Sequence, residues 1–162
     1  MTDTDGDTTD TDGDTTGTGG DTTDTDKLVA TARDALANAY VPYSEYRVGA
    51  ALRTADGTVY TGCNIENANY SNSLHAEEVA IAEAVKHGHD AFDRIAVSSG
   101  VRDGVTPCGM CRQTLAEFAD GDLVVVCDEG NGETSEYTLE ELLPNTISLA
   151  TLEDADGRDG TE

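Results

Sequence analysis

Residues 94–127 read RIAVSSGVRDGVTPCGMCRQTLAEFADGDLVVVC. Arg94–Ser98 is a short apolar run of the kind a buried strand needs, and Leu123–Cys127 is another. Between them a Gly-containing loop runs to Pro107, and Cys108–Phe118 then reads as a helix. Strands joined by helices belong to a layered α/β sandwich. Toward the N-terminus, Leu74–Lys86 has helical periodicity through Val79, Ile81, Ala82 and Val85, which puts His75 at a helix start. The Asn- and Ser-rich tract CNIENANYSNS, residues 63–73, reads as a loop. Ahead of it, RVGAALRTADGTVYTGC alternates apolar positions around Asp56-Gly57, the signal of a β-hairpin. From Lys27 to Tyr40, Leu28, Ala32, Ala35, Leu36 and Ala39 recur at helical spacing, with Asp26 placed as a cap and Pro42 beyond the end. A short strand near Glu136–Thr138 and a helical turn at Leu139–Leu143 close the pattern.

The chain has 162 residues, one domain's worth, with 33 acidic against 9 basic side chains and a formal net charge of -24. That balance excludes a nucleic-acid binder built on basic surface. Residues 1–26 hold nine Asp and no base and are expected to be disordered, as are the acidic residues 153–162. Residues 27–152 form the expected catalytic domain and still carry 19 acids against 8 bases. With only two lysines among the bases, this acidity fits a protein built for very high salt. No run is apolar enough to span a membrane, and MTDTDGDTTD has neither half of a secretory signal, so a soluble, cytoplasmic protein is expected. Cys63, Cys108, Cys111 and Cys127 are accordingly expected to stay reduced.

Two fragments carry the chemistry: His75-Ala76-Glu77 at one helix start and Pro107-Cys108-Gly109-Met110-Cys111 at another. H-x-E followed by P-C-x-x-C is the pattern of zinc-dependent nucleobase deaminases. Cys108 and Cys111, three apart, share one helical face and can reach one tetrahedral ion, with His75 as third ligand and water in the open fourth place. A helix start favours deprotonated sulfur. Glu77, two residues from a ligand, is placed to relay protons between that water and a substrate. Singly, each residue has a plainer reading: a surface or core histidine, a solvated glutamate, a redox or structural C-x-x-C. A structural zinc would want a fourth protein ligand, which Cys63 or Cys127 could supply, although both read as core or loop residues.

Beyond those motifs, Pro42-Tyr43-Ser44, Tyr46, Val48–Leu52, Gly62–Ala68, Cys111-Arg112-Gln113 and Glu141–Pro144 resemble the small cytidine deaminase family over roughly residues 27 to 150. The resemblance implies a three-layer α/β/α sandwich around a mixed sheet of about five strands. It also implies one zinc ion per subunit and hydrolytic deamination of cytidine and deoxycytidine, with pyrimidine salvage as the role. Carried over by position, Asn64 and Glu66 would hold the ribose 3'-hydroxyl and Tyr46 would pack near the base. The Ala76 amide and the Thr106 carbonyl would read the base's oxygen and amino group. The partners implied are a nucleoside substrate and further copies of the chain, a homotetramer favoured over a dimer.

Small tetrameric members commonly have Cys in place of His75 and Arg in place of Glu78. The changes fit together, because three thiolates on zinc leave a charge of -1 that an arginine offsets, whereas one imidazole and two thiolates leave none. Ile147 stands where the family often has an aromatic, and Met110 replaces a small residue. The alternative substrates are a nucleotide or a blasticidin-type cytosine compound, and the alternative class is a non-catalytic zinc-stabilised interaction module.

Overall fold

The computed structural model describes residues 19–119, 121–147 and 151–152. In chain order the elements are α1 (Gly19–Ala35), a 3₁₀ turn (Leu36–Asn38), β1 (Val48–Thr54), β2 (Val59–Cys63), a 3₁₀ turn (Tyr70–Asn72), α2 (Ala76–Lys86), β3 (Phe92–Ser99), α3 (Gly109–Phe118), β4 (Val124–Asp128), β5 (Thr134–Thr138) and α4 (Leu139–Leu142). The five strands form one sheet in the order β2-β1-β3-β4-β5. Only β3 and β4 pair in parallel, and the other three pairings are antiparallel, so the sheet is mixed. The crossover between the parallel strands is α3, as the 94–127 pattern requires.

Strand alternation divides the core into two layers. Ala50, Leu52, Ile95, Val97, Val125 and Cys127 face α2 and α3, packing on Ala80, Ile81, Ala84 and Leu115. Ala51, Ala96 and Val126, their chain neighbours, face α1 and meet Leu28, Val29 and Ala32. A sheet covered on both faces reads as apolar runs in its central strands, and this one has such runs. The α1 side uses small residues because the helix lies very close: a Cβ on Gly49 would sit 2.2 Å from the Ala32 carbonyl oxygen. The architecture is thus the three-layer α/β/α sandwich with five mixed strands that the sequence leads one to expect.

The Asp56-Gly57 turn joins β1 and β2, with Gly57 at φ 89° and Asp56 Oδ1 accepting from Thr58 N and Thr54 Oγ1. The first helix differs from its expected limits. It begins at Gly19, so Asp26 lies inside it and caps nothing, and residues 19–26 belong to the helix instead of a disordered tail. Tertiary contact overrides the poor helix propensity of a Gly-, Thr- and Asp-rich segment. Thr25 is buried, accepts from Arg94 Nη1 at 2.6 Å and donates to Glu136 Oε1 at 3.2 Å. The expected disorder of residues 1–18 and 153–162 lies outside the described residues. No described helix is long and apolar enough to cross a membrane.

Further along α1, Arg33 grips Asp128 at the end of β4 through a paired contact, its Nε at 2.6 Å from Oδ2. Ser98 Oγ and Gly130 N also donate to the same carboxylate. These bonds, Arg33 foremost, hold the Asp128 carboxyl down at about 2. A depressed carboxyl contributes stability that is whole above its unfolded pKa, near 3.9, and is lost as pH falls through the folded value. Asp128→Asn should therefore destabilise by roughly 2 kcal/mol at neutral pH. In denaturant titrations at successive pH values, the gap between parent and variant should be constant above about pH 5 and close between about pH 4 and pH 2. A gap that did not change with pH would show that the carboxylate's charge contributes nothing.

Candidate active site

Because β2 and β3 each run antiparallel to β1, they point the same way, and the loops leaving them emerge at one edge of the sheet. The helices that follow, α2 and α3, both begin there. His75 is the N-cap of α2 and Cys108 the N-cap of α3, each in extended conformation, and Cys111 lies in the first turn of α3. His75 Nδ1 is 3.2 Å from the Sγ of both cysteines, which are 3.6 Å from each other. Zinc bonds of about 2.0–2.3 Å define a tetrahedron with edges of roughly 3.5–3.8 Å. The sulfur–sulfur separation falls in that range and the two nitrogen–sulfur separations lie a few tenths of an ångström below it, so the three donors approximate one face of such a polyhedron. Among the described residues this is the one His/Cys/Asp/Glu group compact enough to hold a metal ion. Cys63 and Cys127 are free thiols outside it, Cys127 deep in the core and Cys63 half-buried at the end of β2.

The donor set also fits a cation electrostatically. Burial first, then the charges of Glu77 and Cys108, push the Cys111 thiol far above its ordinary range. A bare thiolate is therefore disfavoured there, and a divalent cation is the partner that reverses the preference. Glu77, 4% exposed, has its carboxyl raised chiefly by burial, with a backbone hydrogen bond and the nearness of His75 and Cys111 opposing.

A cleft of about 240 Å³ opens beside these groups. Tyr46 and Asn64 line it from one side, His75, Ala76 and Glu77 from α2, and Thr106 and Cys108 from the approach to α3. Seven of the nine residues expected at the site are thus brought together. Cys111 lies buried beneath, within reach through His75 and Cys108. Glu66 does not line the cleft. Its carboxylate accepts from Tyr43 N at 2.9 Å, Ser44 N at 3.2 Å and the Ser44 hydroxyl, which holds it below the usual carboxylate range. Asn64 is similarly engaged, accepting from Val48 N at 2.9 Å and donating to Tyr46 O at 2.7 Å. Val48 and Val105 supply apolar wall that sequence reasoning did not assign to the site. A larger hollow, about 450 Å³ between α3 and α4, is lined by Ala116, Leu139, Leu143 and their neighbours, with Glu140 the one titratable group among the described residues that line it. Ile147 and Met110 are exposed.

Helix starts that join imidazole, paired thiols and a buried carboxylate at one edge of an α/β sandwich define the zinc-site nucleobase deaminase class. Residues 22–127 match the family model described as the cytidine and deoxycytidylate deaminase zinc-binding region. The chain is 44% identical over 129 residues to the cytidine deaminase of Sporosarcina psychrophila, covering 80% of this chain and 95% of that protein. It is 39% identical to a probable cytidine deaminase of Dictyostelium discoideum, covering 78% and 86%. The crystal structure of cytidine deaminase from Burkholderia pseudomallei superposes with a TM-score of 0.71 at 38% identity, covering 75% of this chain and 97% of that one. The chain belongs to the cytidine deaminase family of hydrolytic enzymes.

One glycine sets the depth at which α2 lies on the sheet. A Cβ on Gly62 of β2 would fall 2.1 Å from Ala76 O and 2.5 Å from Ala80 N, both helix backbone. Gly62→Ala must push the start of α2 outward, and with it His75. The variant should lose about 1–3 kcal/mol of stability and bind zinc more weakly in chelator competition. Gly109→Ala, whose Cβ meets nothing within 4 Å, should leave the melting temperature unchanged. Equal behaviour of the two variants would remove the close approach as a constraint on the site.

Proposed function

We propose that this chain deaminates cytidine and deoxycytidine hydrolytically to the uridine forms, releasing ammonia, with one zinc ion per subunit held by His75, Cys108 and Cys111 and with Glu77 carrying the protons. The observation that supports this reading most directly is the set of three donor atoms separated by 3.2 to 3.6 Å, with Glu77 buried beside them at the cleft. Zinc in that position would make a water acidic enough to attack near neutral pH.

The chain's own groups do the remaining work. Glu77 accepts a proton from the attacking water as the C–O bond forms at C4 of the base, and delivers it to N3. It then takes the proton of the new C4 hydroxyl and passes it to the departing amine, so the C–N bond breaks, ammonia leaves and the C4 carbonyl forms. Burial away from bulk water keeps each transferred proton on this path. The Ala76 amide donates to the base oxygen and the Thr106 carbonyl accepts from the amino group, while Tyr46, Val48 and Val105 enclose the ring. Asn64 and Glu66 serve the sugar hydroxyl with the hydrogen-bonding capacity left over from the loop they hold. Glu66 at the sugar end opposes phosphate, which favours the free nucleoside over a nucleotide.

Pyrimidine salvage in the cytoplasm is the role this reaction would serve. Exposed Tyr40, Tyr43, Tyr70 and Leu74 near the loop that carries Asn64 support self-association, with a homotetramer as the expected state. The net charge of -24 supports a protein adapted to strong salt, because screening over about 3 Å in molar salt relieves its self-repulsion.

An ultraviolet assay in molar salt, with metal analysis of the same sample, should show turnover of cytidine and deoxycytidine but not of cytidine monophosphate or blasticidin. Glu77→Gln should keep its zinc and lose about 10²–10⁴-fold in kcat. A fully active variant would falsify the proton-carrier assignment, and zinc without any nucleoside turnover would favour the interaction module. Separately, the melting temperature should climb steadily from dilute buffer to molar salt. A flat profile would contradict the high-salt reading.

A further inference from the structure

Arg112 follows Cys111 in the first turns of α3, and its hydrogen bonds converge on the three residues that lead into that helix. Its backbone N–H donates to Cys108 O at 3.0 Å, its Nε to Pro107 O at 2.7 Å and its Nη2 to Thr106 Oγ1 at 3.0 Å. The remaining nitrogen, Nη1, donates to Leu142 O at 2.8 Å, in the last turn of α4. One side chain therefore ties the wall of the cleft to the C-terminal helix.

The segment needs such an anchor. Residues 105–108 lie in neither strand nor helix, so no ladder fixes them, and Pro107 has no N–H to donate. The segment carries two groups of different kinds. Cys108 contributes a sulfur that a bound cation would hold in place, whereas the Thr106 carbonyl has no such restraint. A planar guanidinium with donors in a rigid fork can hold Pro107, Thr106 and Leu142 together, which an ammonium cannot.

We propose that Arg112 is a positioning residue that sets the Thr106 carbonyl against the amino group of the substrate base, and so lets the cleft distinguish an amino-bearing pyrimidine from the oxo product. This rests on the deaminase reading above. Loss of Arg112 leaves the metal donors in place and blurs recognition at C4, where cytidine has a donor and uridine has none.

The test measures equilibrium binding of cytidine and of uridine by calorimetry in a Glu77→Gln background, where no turnover intervenes, with zinc content and melting temperature recorded for each protein. Adding Arg112→Ala should weaken cytidine binding about tenfold and uridine binding less than twofold, with zinc stoichiometry unchanged. Arg112→Lys, which keeps the charge and secures folding, should fall between. Gln113→Ala, which frees Thr146 and Ile147 from α3 without touching residues 106–108, should leave the cytidine-to-uridine ratio at the parent value. Equal weakening of both nucleosides, loss of zinc, or a lower melting temperature at constant ratio would overturn the proposal and leave Arg112 a structural tie to α4. If the background protein with Arg112 intact binds neither nucleoside, the deaminase reading fails first and takes this proposal with it.

Discussion

The meeting of two helix starts at one sheet edge is the constraint on which the rest of the molecule depends. Each start presents unpaired amides and the positive end of a helix dipole, but at Cys111 and Glu77 burial outweighs that field and raises both groups. Bringing two such ends within 3.2 to 3.6 Å of side-chain contact requires that the preceding strands run in the same direction and that the helices lie at a fixed depth. The antiparallel pairing of β1 with both β2 and β3 supplies the direction. Gly62 supplies the depth for α2, and the parallel β3–β4 pair joined through α3 supplies it for the other helix.

The same economy governs the charges. Bases are scarce, and the well-placed arginines are committed to structure: Arg33 to Asp128, Arg53 to Asp93 and Arg94 to Glu136, each joining segments distant in sequence. Arg47 caps carbonyls at Leu36 and Ala39, and Arg112 serves residues 106–108 and Leu142. The two lysines pair with near neighbours on exposed helix surface, where such pairs contribute little. The acid excess is therefore left to solvent ions, which is the physical ground for the proposed adaptation to strong salt.

How much of this is legible in the sequence follows from the kind of interaction involved. The central strands and the helices α2 and α3 are legible because burial on a sheet covered on both faces leaves apolar runs and helical periodicity in the chain, whereas the edge strands β2 and β5 are mostly exposed or half-buried and carry no such run. The metal-donor group is legible because helix starts and short spacings are local properties. The beginning of α1 is not, since Thr25 owes its helical state to Arg94 and Glu136, far along the chain. Val48 and Val105 escape notice as cleft walls because an apolar residue beside a strand looks the same whether it faces core or ligand. The reach of Arg112 is equally hidden, because most of its acceptors are backbone carbonyls, which carry no residue-type signal.

The departures from the family pattern at His75 and Glu78 become intelligible as one unit. Glu78 Oε2 accepts the backbone N–H of His75 at 3.0 Å, the return half of a capping box. Its charge is thus directed at the helix start that presents the imidazole. Replacing one thiolate by a neutral imidazole removes a negative charge from the donor set, and with it the need for a nearby cation. A carboxylate at position 78 is then affordable, and it restrains the backbone of the residue that must aim Nδ1 at two sulfurs. An arginine there could offset a third thiolate but has no acceptor to offer that N–H, so a carboxylate at residue 78 is consistent with an imidazole in the proposed ligand set.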